Sequence, residues 1–127
     1  MTEAEILKEM VGRTFVAASG VKGDDEMLFT DKDGRWVKFF HESDCCESVS
    51  IEDVCGDLTD LLGTPILHAE EVSSEGTPAP ENADSYTWTF YKFDTIKGSV
   101  TVRWLGESNG YYSESVSVVT SEKPNRW

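Results

Sequence analysis

The feature that most restricts the fold is the alternation of side chains in the last third of the chain. In SYTWTFYKF, Thr87 and Thr89 alternate with Trp88 and Phe90. A period of two places successive side chains on opposite faces of a strand. After the turn DTIKG, a second strand is expected in SVTVRWLGES. Two long neighbouring strands separated by a short turn predict a mainly antiparallel sheet.

A second turn is predicted at Asn109-Gly110, because this dipeptide is the strongest short signal for a hairpin. The sequence YYSESVSVVT that follows alternates again. We therefore predict a tight hairpin in which residues 99–105 pair with residues 112–118.

Earlier in the chain, two helices and further strands are expected. Thr2 and Glu5 form a capping-box pattern that begins a short helix. EMLFT and RWVKFF, joined by DKDG, are predicted to form a hairpin. From Val54 the period becomes helical, since Leu58, Leu61 and Leu62 follow at i+4, i+7 and i+8. A second helix is therefore predicted over residues 54–62.

Together these elements predict one α+β domain over residues 1–127. It has about six or seven strands in a mainly antiparallel, strongly bent sheet, with two short helices. The polar, proline-containing stretch at about 74–84 is predicted to be a flexible loop, and residues from about 120 to 127 a tail.

The charge is concentrated in the middle of the chain. The net charge is −13, and residues 39–91 contain twelve acids and no lysine or arginine. Such a field repels nucleic-acid phosphates and attracts basic protein surfaces, although solubility alone would also explain it. No apolar run approaches the ~20 residues that span a bilayer, and the N-terminus does not resemble a signal peptide. We therefore expect a cytoplasmic protein that binds neither nucleic acid nor membrane.

The stretch HESDCCESVSIEDVCGDLTDLLG contains the candidate metal ligands and nucleophiles. His41 and Cys45 are spaced like zinc ligands, but Cys45 and Cys46 would point to opposite faces of a strand. We therefore expect reduced, buried cysteines without metal or cofactor. Asp53, Asp57 and Asp60 would share one face of a helix, which is more typical of a solvated surface than of a cation site. The sequence lacks phosphate-loop, nucleophile-elbow and His-Glu-x-x-His motifs, so no enzyme is expected.

Three segments carry a family resemblance: DCCESVSIEDVCGDLTDLLGTPI, YTWTFYKFDTIKGSVTVRW and GESNGYYSESV. In these segments the chain resembles a family of small uncharacterised acidic proteins encoded by bacteriophages and by bacteria that carry prophages. The resemblance implies a phage or prophage origin and a setting inside an infected bacterial cell. It implies no activity and no residue roles.

The leading hypothesis is a non-enzymatic, phage-encoded accessory protein that binds a host protein with a basic surface. A counter-defence inhibitor could place carboxylates where the phosphates of a nucleic acid would sit. The alternative is a cytosolic metal- or small-ligand-binding domain that uses His41 and Cys45 with neighbouring carboxylates. The sequence indicates no oligomeric state. The residues expected to bind the partner are Glu42, Asp44, Glu47, Glu52, Asp53, Asp57, Asp60, Tyr111 and Tyr112.

Overall fold

The computed structural model describes residues 2–42, 46–74, 85–110 and 113–121. Within these ranges the chain forms one α-helix, eight strands and one turn of 3-10 helix. In chain order they are α1 (Glu3–Met10), β1 (Ala17–Ser19), β2 (Glu26–Thr30), β3 (Trp36–Phe40), β4 (Ser48–Cys55), the 3-10 turn (Leu58–Leu61), β5 (His68–Ser74), β6 (Ser85–Thr95), β7 (Gly98–Ser108) and β8 (Ser117–Thr120).

The strands form two four-stranded sheets. The first sheet has the order β1-β2-β3-β8, and the second has the order β4-β7-β6-β5. Every neighbouring pair is antiparallel. The hairpin predicted between β2 and β3 is present, with Thr30 opposite Trp36. The longest pairing joins β6 to β7 from Ser85↔Ser108 to Thr95↔Gly98, as the alternating pattern indicated.

Aromatic side chains hold the two sheets against each other. Phe29 of β2 and Phe39 of β3 meet Tyr91 and Phe93 of β6, and all four side chains are completely buried. The ring centroids of Phe39 and Tyr91 are 4.8 Å apart, and those of Phe29 and Phe93 are 5.3 Å apart. These are the separations that aromatic pairs prefer. The core therefore lies between the inner faces of the two sheets.

The predicted α+β class is wrong, because the described chain is mainly β. It has eight strands in two sheets instead of six or seven in one bent sheet, and the second helix is absent. Strand β4 continues through Val54, which pairs with Val102, and only the 3-10 turn follows. Gly56 separates the two elements with φ 112, and a Cβ there would lie 2.7 Å from the carbonyl oxygen of Ser99. The helical spacing arose because a strand residue and a short turn both place apolar side chains against the core.

The predicted hairpin between residues 99–105 and 112–118 is also wrong. Strand β7 lies between β4 and β6, so both of its edges are already paired. Strand β8 instead pairs with β3 in the first sheet, with Val37 opposite Thr120. Gly110 does turn the chain, with φ 93. After this turn the chain crosses from one sheet to the other.

Residues 113–116, called here the crossover segment, are anchored to the second sheet by Glu114. Its carboxylate accepts hydrogen bonds from the hydroxyls of Thr87 at 2.8 Å and Ser108 at 2.5 Å. Burial raises the pKa of Glu114, but these bonds and one from Ser85 together outweigh burial and lower it. Gly106 lies directly beneath this segment, so a Cβ there would collide with the Glu114 backbone.

Helix α1 covers the side of the fold where β5 and β8 form the sheet edges. The predicted capping box is confirmed, since the Thr2 hydroxyl accepts from Glu5 N–H and the Glu5 carboxylate accepts from Thr2 N–H, both at 3.2 Å. Ile6, Leu7 and Met10 are buried against the sheets. Within the described ranges, no helix has the length and apolarity needed to cross a membrane.

The predicted loop and tail fall mostly outside the described residues. Strand β5 ends at Ser74, and residues 75–84 are not described. At the other boundary, Thr120 ends β8 and Ser121 N–H donates to the Trp36 carbonyl at 2.9 Å. Residues 122–127 are not described.

We expect Leu61→Ala to destabilise the protein by about 2–5 kcal/mol, because truncating a buried leucine removes contacts and leaves a cavity. Leu61 is completely buried, whereas Leu67 is 60% exposed. The matched change Leu67→Ala should alter the free energy of unfolding by less than about 0.5 kcal/mol. Urea denaturation of both variants measures the difference. Equal losses would mean that the 3-10 turn does not pack into the core.

We expect Gly106→Ala to destabilise the protein by more than about 2 kcal/mol, because the new methyl group would displace the crossover segment. Gly98→Ala is the control. A Cβ at Gly98 would lie 3.0 Å from Oδ2 of Asp60, whose carboxylate can rotate away, and at ordinary contact distances of 3.6 and 3.7 Å from its Cγ and Cβ. Thermal unfolding of the two variants should show a clearly larger loss for Gly106→Ala. Similar melting temperatures would contradict the close packing described here.

Candidate functional site: an acid-rich cleft

The turn between β1 and β2 lies against β4 and brings its acids to the start of that strand. Gly23 N–H donates to the Ile51 carbonyl at 2.7 Å, and Ile51 N–H donates to the Asp24 carbonyl at 2.8 Å. The Asp24 carboxylate accepts from Val21 N–H at 3.0 Å, which closes the turn. Asp24 and Asp25 are thereby fixed next to β4.

These acids line a polar cleft together with the end of β3 and the beginning of β4. We call it the acid-rich cleft, and its walls are Gly23, Asp24, Asp25, His41, Glu47, Ser48, Val49 and Ser50. Two more acids, Glu26 and Glu42, adjoin lining residues in sequence, and both are exposed. None of Asp24, Asp25, Glu26, Glu42 and Glu52 forms a salt bridge with a lysine or arginine of the described residues.

At the base of the cleft, His41 and Glu47 form a buried pair. Nε2 of His41 lies 2.9 Å from Oε2 of Glu47, and Nδ1 lies 2.8 Å from the carbonyl oxygen of Ser115. The two side chains are only 5% and 1% exposed. His41 therefore joins three segments: the end of β3, the start of β4 and the crossover segment.

The acids expected to bind a partner are divided by the structure. Glu42 lies next to His41 at the acid-rich cleft, whereas Glu52 lies within β4, at its bulge, and does not line the cleft. Glu47 lines the cleft, but its carboxylate is bonded to His41 and is not available to a partner. Asp53 lies on the other side of the β4 bulge, with its carboxylate 3.7 Å from Arg103. Arg103 in turn lies 5.0 Å above the ring of Trp88.

Asp57 and Asp60 belong to the far end of β4. The Asp57 carboxylate accepts from Thr59 N–H at 3.0 Å, which caps the 3-10 turn and lowers the pKa of Asp57. Asp60 lies in that turn, beside Gly98. Since β4 has eight residues, and a strand rises about 3.3 Å per residue, roughly 23 Å separates its two ends. These two acids therefore do not join Glu42 at the acid-rich cleft in one patch.

Asp44, Tyr111, Tyr112 and Cys45, which complete the predicted sites, lie outside the described residues. The structure therefore leaves their proposed roles as predictions. Both ring nitrogens of His41 already have partners. No group of three His, Cys, Asp or Glu side chains in the described part of the chain is arranged to hold a metal ion.

The cysteines differ from the expectation of reduced, buried thiols. Cys46 is disulfide-bonded, so that expectation is wrong for this residue. Cys55 is a free thiol, but it is exposed at the end of β4. Its sulfur lies 3.6 Å from the Asp53 carboxylate.

A second group of ionisable side chains lies in the groove between α1 and β5. The Tyr91 hydroxyl donates to the Glu71 carboxylate at 2.7 Å. Burial, followed by the hydrogen bond to Glu71, raises the pKa of Tyr91 far above its ordinary value. Burial and the nearby charge of Glu71 also raise the pKa of Glu3, although the Val118 N–H partly opposes this by donating to its carboxylate.

The sequence analysis did not identify the acid-rich cleft or the group formed by Glu3, Glu71 and Tyr91, because each depends on contacts between distant segments. Asp24, Asp25 and Glu26 were visible as an acidic turn, but nothing in the sequence indicates that this turn lies on β4. Glu3 and Glu71 are nearly seventy positions apart. The alternation in β6 could have identified Tyr91 as a core residue, but not the carboxylate beside it.

Glu3→Gln should stabilise the protein at neutral pH by about 0.2–1 kcal/mol, a range appropriate to a partly exposed charge. The folded-state pKa of Glu3 is raised, so the folded protein binds this proton more tightly than the unfolded chain. The parent therefore loses stability as the pH rises from below 4.5, and Gln removes that loss. Urea denaturation at pH 3.5 and pH 7 should show the gain only at pH 7.

Glu5→Gln is the control, because the hydrogen bond from Thr2 N–H lowers the pKa of Glu5. It should destabilise the protein at pH 7 and have less effect as the pH falls through the folded-state pKa. If Glu3→Gln were destabilising at pH 7, burial and repulsion from Glu71 would not outweigh the hydrogen bond that the Glu3 carboxylate accepts from Val118 N–H.

Comparison with known proteins gives one match. A family model described as a domain of unknown function, DUF7448, matches residues 8–118. No curated protein matches the chain, and no solved structure does. The matched residues include β1 to β7, the 3-10 turn and the first two residues of β8. The chain therefore belongs to the DUF7448 family, whose domain has no known function.

Proposed function

We propose that this protein is a phage-encoded accessory protein without enzymatic activity, which acts in the host cytoplasm by binding a host protein with a basic surface. The phage origin is supported by the resemblance of three long segments of the sequence to phage and prophage proteins. The form that we favour is a counter-defence inhibitor, in which carboxylates occupy the phosphate track of a nucleic-acid enzyme.

The observation that carries this proposal is a set of acids around the acid-rich cleft that form no salt bridge with a lysine or arginine of the described ranges. Like charges gathered at one end of a fold repel one another, and a basic partner would relieve that repulsion. Asp24 is held by its own turn, and the backbone of that turn is bonded to β4. The acids on this turn are therefore presented by an anchored element, which reduces the conformational entropy lost on binding.

A partner protein fits this arrangement better than a small ion. The acids lie along the rim of an open cleft, and Glu47 inside it is already bonded to His41. The alternative of a metal- or small-ligand-binding domain depends on His41 and Cys45. It gains no support from the described residues, because the imidazole has partners on both nitrogens.

The test is a charge reversal with a matched control. Asp24, Asp25 and Glu42 are changed together to lysine at the cleft, and Glu9, Asp33 and Glu70 are changed together elsewhere. The two variants have the same net charge, and all six side chains are exposed. Tagged protein is used to capture partners from a lysate of the bacterial host at 50 mM and 300 mM salt.

We expect the parent and the control to retain a basic partner at low salt, and the cleft variant to lose it. Capture should weaken at high salt, because screening shortens the range of charge attraction below about 10 Å. Circular dichroism confirms that both variants are folded. If both retain the same partner equally well, the acid-rich cleft is not the binding surface.

A further inference from the structure

The imidazole of His41 lies between two hydrogen-bond acceptors. A backbone carbonyl can only accept, so the 2.8 Å contact with Ser115 requires a proton on Nδ1. An ionised carboxylate can also only accept, so the 2.9 Å contact with Glu47 requires a proton between Nε2 and Oε2. A neutral imidazole has one N–H and cannot satisfy both acceptors.

Both contacts are satisfied only when the pair holds two protons. Either the imidazolium donates from both nitrogens to Ser115 and to ionised Glu47, or a neutral imidazole donates from Nδ1 while protonated Glu47 donates to Nε2. Solvent cannot readily replace the bond between His41 and Glu47, because these two side chains are almost completely buried. The geometry is therefore that of a doubly protonated pair.

We propose that the His41–Glu47 pair is a proton-dependent latch, which fastens the crossover segment to the base of the acid-rich cleft and so regulates that site. The fastening of the crossover segment does not depend on the function proposed above. Only the regulation of binding rests on that proposed function. The latch closes when the pair holds two protons and opens when one is released to solvent.

Loss of one proton from the pair breaks the hydrogen bond between His41 and the Ser115 carbonyl. The remaining proton is better placed on Nε2, where it donates to the negatively charged Glu47, because charge-assisted hydrogen bonds are the stronger ones. Nδ1 then turns its lone pair toward the Ser115 carbonyl, and the two acceptors repel. The crossover segment is released at Ser115, while Glu114 keeps its hydroxyl partners on the second sheet.

The other charged groups that line the cleft around the pair are acidic. Asp24 and Asp25 face the same cleft from the turn before β2, and Glu42 is the next residue along from His41. Glu114 is the titratable group of the crossover segment. No lysine or arginine is among the residues that line the cleft.

The decisive variant is Glu47→Gln. The glutamine carboxamide donates N–H to Nε2 of a neutral imidazole, whose Nδ1–H still donates to Ser115. Both bonds then form without an extra proton, so this latch should stay closed at every pH. The control is Glu42→Gln, which removes the same charge from an exposed neighbour and leaves the pair intact.

The experiment follows the ring nitrogens of His41 and the carboxyl carbon of residue 47 by NMR between pH 5 and pH 9. Amide hydrogen exchange of residues 113–118 is measured in parallel and corrected for its intrinsic dependence on pH. The parent and Glu42→Gln should release one proton from the pair as the pH rises. Their corrected exchange should increase by about tenfold in the same step, and Glu47→Gln should show no step.

Two results would overturn the latch. One is a neutral His41 beside an ionised Glu47 throughout the pH range, and the other is the same exchange step in Glu47→Gln. Neither measurement requires a partner, so a failure here leaves the charge-reversal experiment to be judged separately. If partner capture declines across this pH step in the parent but not in Glu47→Gln, the latch also regulates binding.

Discussion

The contact between the two sheets supports every other feature of this fold. Phe29 and Phe39 meet Tyr91 and Phe93 edge-on or tilted, and each ring is completely buried. This contact sets the separation of the sheets and therefore leaves two open sides between their edge strands. Helix α1 covers one side. On the other, the turn before β2 lies on β4, and the acid-rich cleft forms where that turn, the end of β3 and the start of β4 meet.

Local patterns in the sequence predicted individual elements well. The capping box at Thr2, the β2–β3 hairpin and the long β6–β7 pair all depend on residues close together in the chain. The failures involved contacts over longer distances. A helix was expected at Val54 because local spacing cannot distinguish a helix from a strand followed by a turn. The hairpin after Gly110 was expected because the pattern does not show that β7 already has two neighbours.

The candidate site was less predictable than the fold, for the same physical reason. Glu42 could be identified from a stretch without basic residues, but that stretch also contains Asp57 and Asp60, which lie beyond the other end of β4. The order of charged residues in the sequence shows how acidic a surface is, but it does not show which acids lie together in the folded protein. The acids at positions 24 to 26 came from outside the stretch altogether, and hydrogen bonds through Ile51 place them at the cleft.

The pairing of β8 with β3 has a consequence for how the chain acquires its structure. Val37 and Thr120 are opposite each other although more than eighty residues separate them. During synthesis, β1, β2 and β3 can form a meander early, but β3 keeps an exposed edge until the whole second sheet has been made. Such distant pairing slows folding, because loop-closure entropy is lost before the stabilising contacts form. The nascent first sheet is therefore the part of this protein most open to incorrect association with other chains.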